Sequence, residues 1–174
     1  MDAVTHFLIP AFLVALYRDL FVKKKFSLHY VFLAGIGGLL PDFDIGVYFI
    51  MKILGLDVAY GQVHQVYTHI FLIPLVLFLL FLIFSLENFN VIVCSIRKHK
   101  LKLNYVFLVL GMGWLSHLFL DSVVGPIHPF EPFSSASFGL NYNFGSLFEA
   151  TVDGVLFLLW MVYLEFKHKI SDFI

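Results

Sequence analysis

Long hydrophobic runs alternate with short polar or basic segments along most of this chain. The predicted spans cover residues 4–20, 28–40, 66–86, 103–124 and 150–166. Most of them approach the ~20 apolar residues that a helix needs to cross a ~30 Å hydrocarbon core. The pattern therefore predicts an all-α fold, a polytopic membrane helix bundle with about five transmembrane helices.

A shorter apolar segment, residues 45–56, follows the second predicted span. At ~1.5 Å per residue, its roughly 12 residues are too few to cross a membrane. Pro41 should end the preceding helix, which would leave Asp42 and Asp44 below the membrane surface. We therefore predict a re-entrant or interfacial half-helix here.

The composition is that of a membrane protein. Of the 174 residues, 60% are hydrophobic and 13% are charged, whereas soluble domains have about 25% charged residues. About five spans leave little room for anything else, so residues 1–174 should form a single domain. The net charge of −1 argues against a basic patch for nucleic acid. Because Cys94 is the only cysteine, a metal site would need nitrogen and oxygen ligands.

Basic residues cluster after the first, third and fifth predicted spans. The clusters are Lys23, Lys24 and Lys25; Arg97, Lys98, Lys100 and Lys102; and Lys167 and Lys169. With five spans, all of them lie on one side of the membrane, which the positive-inside rule makes the cytoplasm. We therefore predict an outside N-terminus and a cytoplasmic C-terminus. His29, His99 and His168 lie beside these clusters and should be solvated surface residues.

The other histidines and aspartates that could hold a metal fall at the outer ends of their spans. They are His6, Asp42, Asp44, His64, His69, His117 and Asp121. Helix rise places His117 about 21 Å and Asp121 about 27 Å across the core, in the same leaflet as the others. Ionisable groups that face lipid near the middle of a span cost at least ~2.5 kcal/mol, so those present usually face the bundle interior. We predict that this set forms a buried metal site.

The spacing within two pairs supports a shared ion. His117 and Asp121 are four residues apart on a helix, so their side chains lie on one face. Asp42 and Asp44 would point the same way if the chain is extended there, as hard oxygen ligands require. Both spacings are also common by chance.

The remaining pair, His64 and His69, is five residues apart. Both can reach one site only if His64 lies on the loop before the helix, which Gly61 makes plausible. Each histidine has an alternative interpretation, because a lone histidine in a span is more often a hydrogen-bonded packing residue. That interpretation does not explain why so many such groups share one depth.

Around these residues the chain resembles the YdjM-type family of inner-membrane proteins, predicted metal-dependent hydrolases that are sometimes described as LexA-binding. The motifs are, in order, Thr5-His6, Leu39-Leu40-Pro41-Asp42-Phe43-Asp44, His64 through Thr68-His69, and Ser116-His117-Leu118-Phe119-Leu120-Asp121. The resemblance implies a multi-span hydrolase whose histidines and aspartates hold catalytic metal, with phospholipase-like activity proposed for the family. Where the family usually has an arginine and a serine after the two central histidines, this chain has Gln65 and Ile70.

The segment 125–149 should form a loop over the predicted site. It contains no lysine or arginine, and it could be a lid or an ordinary interfacial loop. His128 or Glu131 could add a ligand or a proton carrier. Aromatic residues that could hold an acyl chain are Phe130, Phe133, Phe138, Tyr142 and Phe144.

Three functions are compatible with such a site. The first is a membrane-bound metal-dependent hydrolase of a phosphoester, such as a phospholipid, at the outer leaflet, with one or two divalent ions. Zinc suits the imidazoles and manganese the carboxylates; catalytic roles are predicted for Asp44, Asp121 and His69, with Asp44 a candidate base. The alternatives are a divalent-metal transporter or sensor and a non-enzymatic membrane scaffold. Membrane lipid is the predicted partner, and the oligomeric state stays open.

Overall fold

The computed structural model describes residues 3–22, 26–86, 92–96, 99–140, 142 and 145–168. Its helices are α1 (Ala3–Leu20), α2 (Leu28–Leu39), α3 (Phe43–Ile53), α4 (Leu72–Leu86), α5 (Leu103–Val124) and α6 (Ser146–His168). A 3-10 turn at Tyr60–Gln62 lies between α3 and α4, and a small hairpin of β1 (Ile92–Ile96) and β2 (His99–Lys102) lies between α4 and α5. The predicted helix bundle is confirmed.

The number of membrane crossings follows from helix length and hydropathy. In the described part of the chain, α1, α5 and α6 are long and apolar enough to span a bilayer. The pair α2 and α3, bent by 51° at the Pro41 break, could form one more span, whereas α4 is shorter. Three or four helices thus pass this criterion, and the predicted five crossings stay a prediction. The predicted orientation also stays a prediction, because many of the basic residues behind it lie outside the described residues. They are Lys23, Lys24, Lys25, Arg97, Lys98 and Lys169.

The helix boundaries differ from the predicted ones on both sides of the proposed site. The span predicted at 66–86 begins as a helix only at Leu72, with Pro74 in its first turn, where its missing N–H costs nothing. The half-helix predicted at 45–56 begins at Phe43, so Asp42 is its N-cap and Asp44 lies in its first turn. Acidic residues are favourable at that end of a helix. The two carboxylates therefore come from a helix start, and the extended conformation in which they would point the same way is not present.

Glycines let α2 approach its neighbours closely enough to build the site. A Cβ at Gly38 would overlap the carbonyl oxygen of His6, and a Cβ at Gly113 would overlap that of Ala34. Small residues at such crossings allow the close packing that holds membrane helices together. The backbones of α1, α2 and α5 are thus in direct contact close to His6 and His117.

Polar contacts attach α6 to both ends of α1. Near His6, the hydroxyl of Thr5 donates a hydrogen bond to Asp153. At the other end, the hydroxyl of Tyr163 donates to Asp19 at 2.8 Å, and Asp19 also pairs with the buried Arg18 at 2.6 Å. These bonds fix the depth of α1 in the bundle, and so the height of His6.

Candidate metal centre

The structure brings all seven predicted histidines and aspartates together at one end of the bundle. His6 comes from α1, Asp42 and Asp44 from the start of α3, His64 and His69 from the segment before α4, and His117 and Asp121 from α5. His6, His69 and His117 are each at most 1% exposed. Side chains from four parts of the chain thus meet in one buried cluster.

The centre of the cluster is formed by two imidazole nitrogens and two carboxylate oxygens. His69 Nε2 and His117 Nε2 lie 3.0 Å apart. Asp121 Oδ2 is 3.2 Å from each of them. Asp42 Oδ1 is 3.6 Å from His117 Nε2 and 3.8 Å from His69 Nε2. Four potential ligand atoms therefore surround one small volume.

Hydrogen bonds on the far sides of the two rings determine which nitrogens carry protons. His117 Nδ1 lies 2.7 Å from the carbonyl oxygen of Gly38, which can only accept, so Nδ1 carries the hydrogen. Thr68 Oγ1 donates to Asp44 Oδ2 at 2.6 Å, so it accepts from His69 Nδ1 at 2.9 Å. Both Nε2 atoms then present lone pairs to the centre when the rings are neutral. This is how the outer contacts of metal-binding histidines orient the ring.

The centre is consequently a cluster of acceptors. Two nitrogen lone pairs and two carboxylate oxygens repel one another in a buried site, and positive charge among them removes that cost. A divalent cation supplies this charge, and imidazole with carboxylate is a donor set that zinc and manganese both accept. The residues present therefore fit a bound metal ion.

His6 extends the cluster on the α1 side. Its ring stacks on that of His117 at 3.9 Å, and its Nε2 lies 3.1 Å from Asp121 Oδ1. Its Nδ1 is buried and has no hydrogen-bond partner among the described residues. A buried nitrogen without a hydrogen-bond partner is costly, which distinguishes His6 from an ordinary hydrogen-bonded packing residue.

Asp44 organises the opposite side of the cluster. Its Oδ1 lies 2.9 Å from His64 Nδ1, and its Oδ2 accepts from the backbone N–H of Gln65 at 2.9 Å and from Thr68. Gln65 has a φ of 67°, which a residue with a side chain rarely adopts. The chain thus bends sharply around Asp44, and this bend carries both His64 and His69 to the site.

Geometry permits three overlapping ligand groups. They are His6, His117 and Asp121; Asp42, His69 and His117; and Asp42, Asp44 and His64, each with ligand atoms within 4.8 Å of one another. His117 and Asp42 each belong to two groups, so they lie where neighbouring ions would meet. The described residues therefore form groups that could hold a metal ion, while the number of ions and the individual ligand roles stay predictions.

Tyr60 flanks the centre on its more exposed side. Its ring lies 4.7 Å from that of His64, and 45% of the residue is exposed. Partial burial, followed by the negative charges of Asp44, Asp42 and Asp121, raises the pKa of its hydroxyl above the ordinary value. The phenol therefore stays protonated at neutral pH and can donate a hydrogen bond beside the centre.

Sequence reasoning missed several residues that position the ligands. Thr68 and Gly38 hold the two central imidazoles, and Trp114 Nε1 fixes the Thr68 carbonyl at 2.9 Å. The signal for Thr68 was its place directly before His69, where a hydroxyl can reach a ring nitrogen. His128 and Glu131, predicted as a further ligand or proton carrier, belong to none of the ligand groups found in the described residues.

Removal of the Thr68 hydroxyl tests whether this group orients the His69 ring in the centre. In Thr68→Val, His69 Nδ1 loses its acceptor and Asp44 loses a donor, while the side-chain volume is nearly kept. We expect metal affinity to fall about 10- to 100-fold, as is usual when the partner of a metal-binding histidine is removed. Titration of metal-free protein with zinc measures this.

Thr68→Ser is the matched control, because it keeps the hydroxyl. It should bind zinc with an affinity close to that of the wild type. Equal affinities of Thr68→Val and the wild type would contradict the assigned role of Thr68.

Comparison with known proteins adds one finding. A family model described as YdjM inner membrane protein matches residues 1–172. The match covers every motif on which the resemblance was based, and that resemblance is confirmed. No curated protein and no solved structure matches the chain.

Proposed function

The chain belongs to the YdjM inner membrane protein family, and we propose that it is a metal-dependent hydrolase that cleaves a phosphoester, such as that of a phospholipid. One observation carries the proposal: His69 Nε2, His117 Nε2, Asp121 Oδ2 and Asp42 Oδ1 converge as acceptors on one buried point. Ionisable groups in membrane proteins are costly and usually serve function.

The residues of the cluster have different proposed roles. His69, His117 and Asp121 would hold the ion, with His6 or Asp42 completing the set. A divalent ion, when bound, lowers the pKa of water and stabilises negative charge on a phosphoryl oxygen. Zinc suits the imidazole-rich side of the cluster, and manganese suits the side with Asp42 and Asp44.

The carboxylates differ in what surrounds them. Asp44 accepts three hydrogen bonds, from His64, Gln65 and Thr68, so its main contribution is to orient these groups. The Asp42 side chain is 23% exposed, compared with 6% for Asp44. We therefore favour Asp42 over the predicted Asp44 as the group that takes a proton from water, because water reaches it more readily.

We place the centre at the outer leaflet, with the N-terminus outside and the C-terminus in the cytoplasm. The distribution of lysine and arginine in the sequence supports this orientation. Tyr60, His64 and Asp42 line the more exposed side of the cluster. The phosphoester would approach from there.

Metal removal tests the hydrolase directly. Purified protein in mixed phospholipid vesicles should release phosphorylated products, lose this activity after chelation, and regain it with zinc or manganese. The reason is that the converging atoms of the cluster are acceptors, so a bound ion would supply the positive charge that stabilises a phosphoryl oxygen. Product release is followed by mass spectrometry of the lipids.

His69→Ala and Asp121→Ala provide the variants for this assay. Both remove an atom of the central cluster and should lose metal and hydrolysis together. If both variants kept wild-type metal content and activity, the hydrolase proposal would fail. Metal-dependent ion flux without hydrolysis would favour a transporter, and a protein without metal would favour a scaffold.

A further inference from the structure

Gln65 has a backbone conformation that a residue with a side chain does not favour. Its φ of 67° is the one positive value among the non-glycine residues that the structure describes. In this left-handed region a Cβ lies too close to the following carbonyl oxygen, whereas glycine adopts it freely. Such conformations persist where surrounding contacts enforce them, and they cluster at functional sites. The presence of glutamine here, and not glycine, therefore indicates a role for its side chain.

The bend itself does not need a glutamine. The backbone N–H of Gln65 donates to Asp44 Oδ2 at 2.9 Å, and this bond helps to hold the left-handed conformation. Glycine at the same position would donate the same bond, because the donor belongs to the main chain. The hydrogen bond thus explains the conformation and leaves the side chain unexplained.

The side-chain amide of Gln65 faces the acceptor cluster. Its Nε2 lies 3.5 Å from Asp121 Oδ2, and that oxygen lies 3.2 Å from the Nε2 atoms of His69 and His117. A carboxylate oxygen only accepts hydrogen bonds, so the nitrogen end of the amide faces it. The two N–H groups of the amide are therefore donors at the edge of the candidate metal centre.

The contact with Asp121 is too long to satisfy this amide. The N···O distances of good hydrogen bonds are near 2.9–3.0 Å, roughly 0.5 Å shorter than this one. Asp121 Oδ2 is also the oxygen that faces both central imidazoles and would bind the ion, so its lone pairs would be directed to the ion and not to the amide. Gln65 is only partly buried, and a molecule on the more exposed side of the cluster can reach its N–H groups.

The chemistry of the amide selects its partner. An amide nitrogen donates two hydrogen bonds and carries no net charge, so it neither binds the ion nor repels it. The group that such a donor binds best beside a cation is an oxygen atom with negative charge. Glutamine side chains serve as donors to oxyanions in enzyme sites, where a fixed donor stabilises charge that develops in the reaction. A non-bridging oxygen of a phosphoester carries this charge.

We propose that the side-chain amide of Gln65 donates a hydrogen bond to a non-bridging oxygen of the phosphoester at the metal centre. This assignment rests on the proposed function for the identity of the substrate. It makes Gln65 a catalytic residue. It also gives the left-handed backbone a function, because the bend around Asp44 brings the amide beside Asp121.

Gln65→Gly separates the side chain from the bend. It removes the amide, keeps the backbone donor and relieves the left-handed strain, so the metal-free protein should unfold in detergent at a temperature no lower than the wild type. Zinc affinity should stay at the wild-type value. Binding of inorganic phosphate to the zinc-loaded protein, measured by calorimetry, should weaken about 10- to 100-fold, because a hydrogen bond to a charged group is lost.

Gln65→Glu tests the donor without shortening the side chain. The carboxylate has nearly the size of the amide but lacks its N–H groups, so phosphate binding should fall at least as far as in Gln65→Gly. Gln62→Glu is the matched control, because it adds the same charge at an exposed position of the same segment. Its carboxylate can still accept the Ala59 N–H that Gln62 Oε1 accepts at 2.8 Å. This control should bind zinc and phosphate as the wild type does.

The outcomes separate this assignment from the hydrolase. Equal phosphate affinities of the wild type, Gln65→Gly and Gln65→Glu would overturn the assignment, as would a zinc-loaded wild type that binds no phosphate. A lower unfolding temperature and loss of zinc in Gln65→Gly would also overturn it, because the side chain would then be structural. Phosphate binding that depends on Gln65, without hydrolysis of phospholipid, would refute the hydrolase and keep the assignment. Hydrolysis with equal phosphate affinities would do the reverse.

Discussion

Replacement of His117 by alanine should remove bound metal and hydrolysis together. The substitution deletes a nitrogen that belongs to two of the three ligand groups. Because even the partners of metal-binding histidines contribute 10- to 100-fold to affinity, loss of the ligand itself should cost at least about 100-fold. Metal content after gel filtration, measured by mass spectrometry, and phospholipid hydrolysis are the two measurements.

His29→Ala is the control for this variant. His29 lies in the first turn of α2 at the other end of the bundle, where its Nδ1 lies 2.8 Å from Ser27 Oγ. It should keep wild-type metal content and activity. Retention of full metal content in His117→Ala would show that the cluster is not the metal site.

Replacement of Gly38 by alanine should damage stability and metal binding at once. The new Cβ would overlap the His6 carbonyl oxygen and lie 2.9 Å from Pro10 Cγ, so α1 and α2 must separate. Overpacking of this kind typically costs about 1–3 kcal/mol. The shift also displaces the Gly38 carbonyl that holds His117 Nδ1 at 2.7 Å. Thermal unfolding in detergent and zinc titration measure the two effects.

Gly154→Ala is the matched control in α6. A Cβ there has no neighbour within 4 Å among the described atoms, and alanine is a better helix former than glycine by about 0.5–1 kcal/mol. This variant should be at least as stable as the wild type and bind zinc normally. If the two variants unfolded at the same temperature with the same zinc affinity, the close α1–α2 crossing would not support the site.

The residues of the cluster could be predicted because the regular rise of a helix determines their depth in the membrane. Helix rise alone placed His117 and Asp121 in one leaflet, and the four-residue spacing placed them on one face. Polar groups in an apolar span are conspicuous, so His6 also stood out. The family resemblance pointed to the same positions, and the structure brings all of them together.

The segment between α3 and α4 could not be predicted, because long-range bonds determine its shape. Asp44 accepts hydrogen bonds from the backbone N–H of Gln65 and from the hydroxyl of Thr68. These bonds replace the first turns of the helix predicted from residue 66. Hydrophobicity favoured a helix there, since residues 66–86 are mostly apolar. Tertiary hydrogen bonds overrode that local preference.

The β hairpin and the glycine contacts also escaped prediction. The hairpin lies in a segment where the sequence showed chiefly a basic cluster. In the sequence alone, Gly38 and Gly113 look like ordinary small residues, because their role depends on how closely the neighbouring backbones approach. By contrast, the aromatic loop was anticipated, and Phe130, Phe133 and Phe138 do line cavities. Its role as a lid stays a prediction, and Phe144 lies outside the described residues.

X-ray absorption at the metal edge, combined with metal quantification on the purified wild-type protein, tests the central claim most directly. We predict one or two equivalents of zinc or manganese bound by nitrogen and oxygen, with zinc–imidazole distances of about 2.0–2.1 Å. Coordination by imidazole should disappear in His117→Ala. Protein that binds no metal under replete conditions, or metal bound through the sulfur of Cys94, would contradict the account.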